Sequence, residues 1–335
     1  MEKVWIVNRY ITVNLGDRLL GRGFEEILSR KGLEIERVEY TGNSAGIVKL
    51  ICKILRVIKL ESLACFLSCL SYVPKLVKEQ PSVIFIGGGQ LLFPNRTFLS
   101  ALFTWAVLSR LFGFKLVLFS VGTEKFKGTF PSLKRFLLKF SLDQADEVRL
   151  RDHHSRSLIK SMFGYVYPVV PDTAYGLNLK NWKVLDKKGV YICPLEMRSV
   201  LACNKFRRRE EYFDSILATA VKYLEKKDQV FLFSSVRDDY TEISKLFDYL
   251  SRKIKNKISI IHTENEDSLL GNLGRARVVV SARMHPLIFA HILGAKPVAV
   301  DVCEKIKSFS ESSLSLSPDA LRKELIVSIG QLKNV

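Results

Sequence analysis

Short apolar runs alternate with amphipathic stretches along almost the whole chain. In the first half, Val4–Asn8, Ile35–Tyr40, Val83–Ile86, Lys115–Val121, Glu147–Leu150 and Val166–Val170 read as strands. In the second half, Val190–Cys193, Val230–Ser234, Ile258–Ile261, Val278–Ser281 and Pro297–Val300 do the same. They are short and rich in β-branched residues, and turn residues bound many of them, as buried strands require. Helical patterns fill the gaps. One runs from Asp17, a candidate cap, to about Lys31, where Gly32 stops it. Others cover about Thr97–Leu111, the interval between Leu150 and Val166, and residues 209–227, 239–254 and 267–276. A helix Pro286–Leu293 should end at Gly294, and a last one should span about Pro318–Leu332. Strand–helix alternation predicts an α/β fold of parallel sheets, wound right-handedly, with helices on both faces. A chain of 335 residues exceeds what one core normally supports. Two Rossmann-like domains in series are therefore expected, over residues 1–180 and 186–315, joined near the polar stretch Asn178–Lys188. The C-terminal helix in 316–335 should pack back on the body.

In such sheets ligands bind at the carboxyl ends of the strands, and a two-domain version is expected to set two such edges facing a cleft. That directs attention to the segments just after strands. Asn14-Leu15-Gly16-Asp17 follows the first strand; Gly16 permits close approach and the next helix offers free N–H groups, or Asp17 is a plain cap. Gly87-Gly88-Gly89-Gln90 follows a very apolar strand and suits a loop approached by substrate. It is not GxGxxG and lacks a P-loop lysine, which argues against dinucleotide chemistry and a dehydrogenase. Arg151-Asp152 puts a guanidinium fork, matched to carboxylate or phosphate, at a strand end. Asp172 can serve as a base, an arginine partner or a turn former. The sharpest constellation is Ala282-Arg283-Met284-His285, between the strand Val278–Ser281 and a helix opened by Pro286. Arg, His and free N–H groups of a helix N-terminus converge there, a natural anion site. His291 inside that helix reads as packing, and His153 and His154 as helix-start residues. No metal-ligand spacing and no Ser–His or Cys–His pairing can be assembled, so neither a metal nor a cofactor is expected.

An apolar share of 47% and a charged share of 26% belong to an ordinary folded protein. The start MEKVWIVNRY is not a secretory signal, and the apolar stretches Leu60–Val73 and Thr97–Ser109 fall short of the about 20 residues a span needs. The six cysteines include no CxxC pair and read as buried thiols of a reducing compartment, so a cytoplasmic protein is expected. The net charge of +18 implies an anionic partner. The cations are dispersed and no nucleic-acid motif accompanies them, which argues against nucleic acid. Val48–Lys59 (VKLICKILRVIK) fits a helix lying on an anionic membrane surface, peripheral on the inner face of the plasma membrane. The alternative is an amphipathic helix packed on its own domain.

Taken together, NLGD at 14–17, IFIGGGQLL at 84–92, RLRDHHS at 149–155, VVPDTA at 169–174 and SARMHPLIFAHILGAKPVAVDVCEK at 281–305 resemble the polysaccharide pyruvyl transferase family. The match departs from the family in lacking an aromatic shortly before Lys305. The resemblance implies a GT-B-like fold whose second domain binds the donor, phosphoenolpyruvate. It implies a sugar hydroxyl pair as acceptor, on a cell-surface polysaccharide or a lipid-linked glycolipid precursor, and a cyclic pyruvate ketal as product. It assigns Arg151, Arg283, His285 and the backbone of Met284 to donor binding. Phosphoenolpyruvate carries a carboxylate and a phosphate, which arginine forks and a helix N-terminus can hold without a metal. On chemical grounds His285 is the candidate general acid, Asp17 and Asp172 the candidate bases, and Lys305 a cation for the departing phosphate. Two other readings stand beside this one: a GT-B glycosyltransferase using a nucleotide-sugar, and a non-catalytic anion-binding homologue.

Overall fold

The strands differ in sequence character, and the difference matches their places in two sheets. In a computed structural model, residues 2–125, 131–225 and 228–332 are described. β1 (Lys3–Asn8) is buried from Val4 onward and β3 (Val83–Gly89) is buried throughout. Both are interior strands, covered on both faces, so they read as continuous apolar runs. β2 (Glu34–Glu39, EIERVE) carries charge and lies at an edge, where charges discourage pairing with foreign strands. With β4 (Lys115–Val121) and β5 (Glu147–Leu150) the order is β2-β1-β3-β4-β5, all parallel. The second sheet has β6 (Lys188–Cys193), β7 (Val230–Leu232), β8 (Ile258–Ile260), β9 (Ala276–Ser281) and β10 (Lys296–Ala299). Its order is β10-β9-β6-β7-β8, again all parallel. Each sheet is Rossmann-like, and the α/β architecture is the one the alternating pattern predicts.

The chain divides into two compact units, one per sheet. The first comprises Met1–Thr12, Leu20–Leu177 and Arg322–Val335; the second comprises Val13–Leu19 and Asn178–Leu321. The opening residues of the helix Leu15–Leu28 thus count with the second unit. Most of the helix Pro318–Gly330 counts with the first, where Arg322 Nη1 donates to Leu177 O at 3.2 Å and Lys31 Nζ to Ile329 O at 3.3 Å. Between β2 and β3 the first unit carries three helices, Gly46–Val57, Glu61–Leu70 and Val73–Glu79. Among the described residues no helix is long and apolar enough to cross a membrane.

Several expected elements shift. Val166–Val170 is no strand but a single bridge between Leu150 and Val169, because Pro168 and Pro171 remove the N–H groups a ladder needs. The triple glycine is not a loop after β3 but its last three residues, still paired with β4 through Gly87–Phe119 and Gly89–Val121. Asp17 is not a cap; it lies in the first turn of a helix that starts at Leu15. Pro286 does not open its helix, which starts two residues earlier at Met284. Proline is tolerated anywhere in a first turn, since the N–H it lacks has no intrahelical acceptor there. The helix expected over 209–227 ends at Val221, and residues 226–227 lie outside the described residues. Of the six thiols, Cys203 and Cys303 are only half-buried.

Strand order also marks where ligands should approach. In the first sheet the chain steps outward from β1 to β2 and then returns to the other side of β1 as β3. In the second it leaves β6 through β7 and β8, then returns to the opposite side of β6 as β9. At each such switch the following connections diverge and leave a crevice at the carboxyl ends. In the first sheet Gly88, at that edge, packs closely against the chain itself. Gly88 has φ +74°, and a Cβ there would lie 2.5 Å from Thr173 Oγ1 and 3.1 Å from Leu20 Cβ. Replacing Gly88 by Ala should therefore cost about 2–3 kcal/mol, from the left-handed backbone plus the overlap. Urea denaturation of the variant is the check; an unchanged midpoint would mean that Thr173 is not packed against this strand.

Candidate functional site

The second unit's switch point is built around one buried carboxylate. β6 and β9 end side by side, with Cys193 paired to Ser281. Beyond Ser281 the chain turns sharply. Ser281 Oγ accepts from Arg283 N and donates to Arg283 O, both at 2.9 Å. This turn sends the Arg283 side chain to Asp239, which follows β7 and is 0% exposed. Arg283 Nε and Nη2 grip both carboxylate oxygens, with Nη2 at 2.6 Å from Oδ1. Asp239 also accepts from Ser234 Oγ at 3.1 Å and from Glu196 N at 3.0 Å. Burial is the largest single influence and works against the Arg283 charge, but hydrogen bonding and charge attraction from Asp239, with the neighbouring Cys193 and Glu196, together outweigh it and hold its pKa above the ordinary value. Beside it, burial pushes the Cys193 thiol up to about 12.

His285 sits on the second residue of the helix Met284–Leu293, with Met284 itself buried. The segment 14–17 is brought against it. Asn14 bridges to Val236, Leu15 N donates to Ser235 O at 3.1 Å, and Gly16 N donates to Asn14 Oδ1 at 3.0 Å. Arg18 pairs with Glu266 at 2.8 Å. A Cβ on Gly16 would overlap the His285 ring, so this glycine is what lets the imidazole approach the backbone. Asp17 Oδ1 lies 3.9 Å from His285 Nδ1, an ion pair whenever the ring is protonated. Asn14, Gly16, Asp17, Arg283, Met284 and His285 are thus neighbours within the second unit. Lys305 lies in the first turn of the helix Glu304–Ser312 after β10, half-buried.

The first unit holds the remaining candidates. Arg151 follows β5, and its side chain is 3% exposed. Its Nε is 3.4 Å from Asp152 Oδ2 and its Nη1 3.5 Å from Asp172 Oδ2, ion pairs that are long for hydrogen bonds. Its Nη2 is buried with no hydrogen-bond partner among the described residues. Asp152 caps the helix His153–Phe163 by accepting from Ser155 N at 2.6 Å. Asp172 caps a short turn by accepting from Ala174 N at 3.0 Å. Asp172 is therefore both arginine partner and turn former, two of the three roles open to it. Gly87, Gly88 and Gly89 face the chain's own Phe24, Leu20 and Thr173, and Gln90 Nε2 donates to Glu124 Oε1 at 2.8 Å. Their glycine character answers to helix–strand packing.

Sequence reasoning missed Asp239. Its signal was Val236-Arg237-Asp238-Asp239 after a strand, the same strand-end position that drew attention to Arg151 and Arg283. A pair of acids at a helix start reads as capping, which hid it. Among the described residues no group of three or more His, Cys, Asp or Glu is placed to hold a metal ion.

Removing the Asp239 carboxylate would leave the half-buried Arg283 guanidinium without a counter-charge. Asp239→Ala is expected to lose about 3–5 kcal/mol of stability. Asp239→Ala combined with Arg283→Met should recover part of that loss, since the stranded charge goes too. Denaturation midpoints of the three proteins measure this, and equal losses in single and double variants would dissolve the coupling.

A family model for polysaccharide pyruvyl transferase matches residues 14–304. No curated protein matches the chain. Among solved structures, sucrose-phosphate synthase from Thermosynechococcus elongatus aligns with a TM-score of 0.57 at 10% identity, covering 99% of this chain and 98% of that one. UDP-GlcNAc 2-epimerase from Neisseria meningitidis, bound to UDP-GlcNAc, gives 0.56 at 10% identity over 99% and 91%. The UDP-GlcNAc 2-epimerase from Methanocaldococcus jannaschii gives 0.55 at 13% identity over 100% and 93%. Identities this low speak for the fold alone, and the fold they share is GT-B-like.

Proposed function

The chain belongs to the polysaccharide pyruvyl transferase family, and from that premise we propose that it moves a pyruvyl group from phosphoenolpyruvate onto a sugar hydroxyl pair as a cyclic ketal. The acceptor is a cell-surface polysaccharide or its lipid-linked precursor. The observation that carries this reading is the placing of His285. Its ring is held on the Gly16 backbone, beside Asp17, at the amino end of a helix that opens on the second sheet's switch point.

The chemistry runs as follows. A proton goes to the methylene carbon of phosphoenolpyruvate, and the neighbouring carbon becomes oxocarbenium-like. One sugar hydroxyl adds there and gives up its proton. The second hydroxyl then displaces phosphate at the same carbon and loses its proton as well. Of the two protons released, one balances that taken by the methylene carbon and one leaves with phosphate. His285 is the proposed acid, and an imidazole can deliver and regain a proton near neutral pH. Asp17, 3.9 Å away, is placed to orient the ring and to relay a proton from the acceptor.

The anionic groups of the donor fall to the cations. Arg283 is a different ligand from the one its sequence suggests. Its fork is committed to Asp239, so the pair carries little net charge and only the edge turned away can meet an anionic oxygen. The helix N-terminus at Met284 adds N–H groups and partial positive charge. Arg151 in the first unit is proposed as a donor ligand because its buried Nη2 is a donor in need of an acceptor. Lys305 is proposed to neutralise departing phosphate, and Asp172 to hold Arg151 in place.

Two measurements test the proposal. Phosphoenolpyruvate should raise the melting temperature and UDP-sugars should not; a shift with a UDP-sugar alone would replace the reading with a nucleotide-sugar transferase. In the presence of glycolipid acceptors, phosphate release should accompany a mass gain of one pyruvyl ketal. His285→Ala should slow that release by about 100-fold or more while melting where the parent does. Gly16→Ala, which pushes the same ring aside, should also slow it, by at least about tenfold. Full-rate release from both variants would remove His285 from the reaction.

A further inference from the structure

The helix Gly46–Val57 is a misfit in a folded protein. Its sequence, GIVKLICKILRV, is mostly apolar, yet Cys52 is its only buried residue. That thiol tucks against the helix Glu61–Leu70, where Sγ donates to Ala64 O at 3.3 Å. Most of the other large apolar side chains stand in solvent: Ile47 is 78% exposed, Leu50 59%, Ile54 53% and Val57 76%, while Leu55 is half-buried. Scattered exposed leucines need no explanation, but these are not scattered.

At roughly 100° of turn per residue, Ile47, Leu50, Ile51, Ile54 and Val57 share one arc of about 120°. Val48, Cys52 and Leu55 lie on the arc turned to the neighbouring helix. Lys49, Lys53 and Arg56 occupy the third arc, between the two. The apolar arc therefore points away from the protein body, with a row of cations along its flank. Ile58 and Leu60, 57% and 47% exposed, extend the apolar surface past the end of the helix, and Lys59 adds a fourth cation. From residue 40 to residue 60 the chain has no acidic side chain. Next to this surface, Ser62 borders a groove of about 290 Å³ lined also by Arg96, Ser100, Leu133, Lys134 and Leu137, again apolar with cations and no acid.

We propose that this helix docks the protein on an anionic phospholipid surface, its apolar arc entering the acyl boundary and its cations meeting the headgroups. Charge complementarity selects this occupant. A protein partner recognised through an apolar face does not require a flank of cations free of acids, whereas a bilayer with anionic headgroups rewards both features together. The packed alternative does not account for the helix, because a single residue is all that its own unit buries. The inference stands independently of the pyruvyl transferase reading, since it concerns where the protein sits.

Vesicle co-sedimentation of the full chain provides the test. With vesicles of phosphatidylcholine containing phosphatidylglycerol, the protein should pellet at low salt and release as salt rises; with phosphatidylcholine alone it should pellet far less. Ile54→Ser with Val57→Ser should abolish pelleting. Lys49→Glu with Lys53→Glu should lower partition by at least about 25-fold, at about fivefold per cation near an anionic surface. All four positions are solvent-exposed, so both variants should melt with the parent, and phosphate release from phosphoenolpyruvate in the presence of a water-soluble acceptor should be unchanged. Parent protein that stays in the supernatant with anionic vesicles overturns the proposal. So does equal pelleting of the variants. A dimer in sedimentation velocity that dissolves in Ile54→Ser with Val57→Ser, without vesicle binding by the parent, would hand the surface to a second copy instead.

Discussion

The second unit turns on the ion pair between Asp239 and Arg283. A carboxylate with no solvent exposure must be matched in charge and in hydrogen bonds, or it costs several kcal/mol. Arg283 supplies the charge and two of the bonds, while Ser234 and the Glu196 N–H supply the others. The donors come from the segments that follow β6, β7 and β9, so satisfying one carboxylate fixes three connections at the carboxyl edge. The turn after β9 cannot open without stranding the pair, and the start of the helix Met284–Leu293 is thereby set. His285 inherits its position from that helix. Its ring in turn requires a residue without a side chain at position 16.

This dependence changes what Arg283 means. In the bare chain it is an exposed-looking cation beside a histidine, and the obvious role is to bind an anion. In the fold its charge is mostly answered from within, so the anion-binding role proposed for this edge falls to the helix N-terminus, the unshared face of the guanidinium and His285. Arg151 shows the converse. It too lies among carboxylates, but at 3.4 and 3.5 Å and with its buried Nη2 unmatched among the described residues. An arginine left partly unsatisfied by its own protein is better prepared for an anionic ligand than one gripped at both ends.

The surface obeys a different economy. The chain's cations give it a net charge of +18. A row of them lies beside the exposed apolar arc of Gly46–Val57, where the helix buries one thiol and presents the rest of its apolar content outward. Exposed apolar surface of that extent is unfavourable in water and tolerable only if something covers it. The lipid-linked acceptor proposed for the reaction would bring the protein to the same kind of surface.

What the amino-acid sequence determined by itself was whatever depends on near neighbours along the chain. Alternating apolar runs and helical stretches specified two parallel α/β sheets, since periodicity and strand–helix alternation are local and cumulative. The strand-end positions of Arg151, Arg283 and His285 were legible for the same reason, and so was the mixed character of Val48–Lys59. Local pattern also misled in specific ways: prolines broke the strand expected at Val166–Val170, and Gly87–Gly89 turned out to continue a strand. Only the tertiary structure decided which distant residues meet. Asp239 gained its importance from Arg283, which lies 44 residues further along the chain. Asn14, Gly16 and Asp17 joined His285 in the second unit although they follow the first strand of the other sheet. Pairings of that kind are set by the registers of two sheets and the burial of single charges, and these quantities do not exist until the chain has folded.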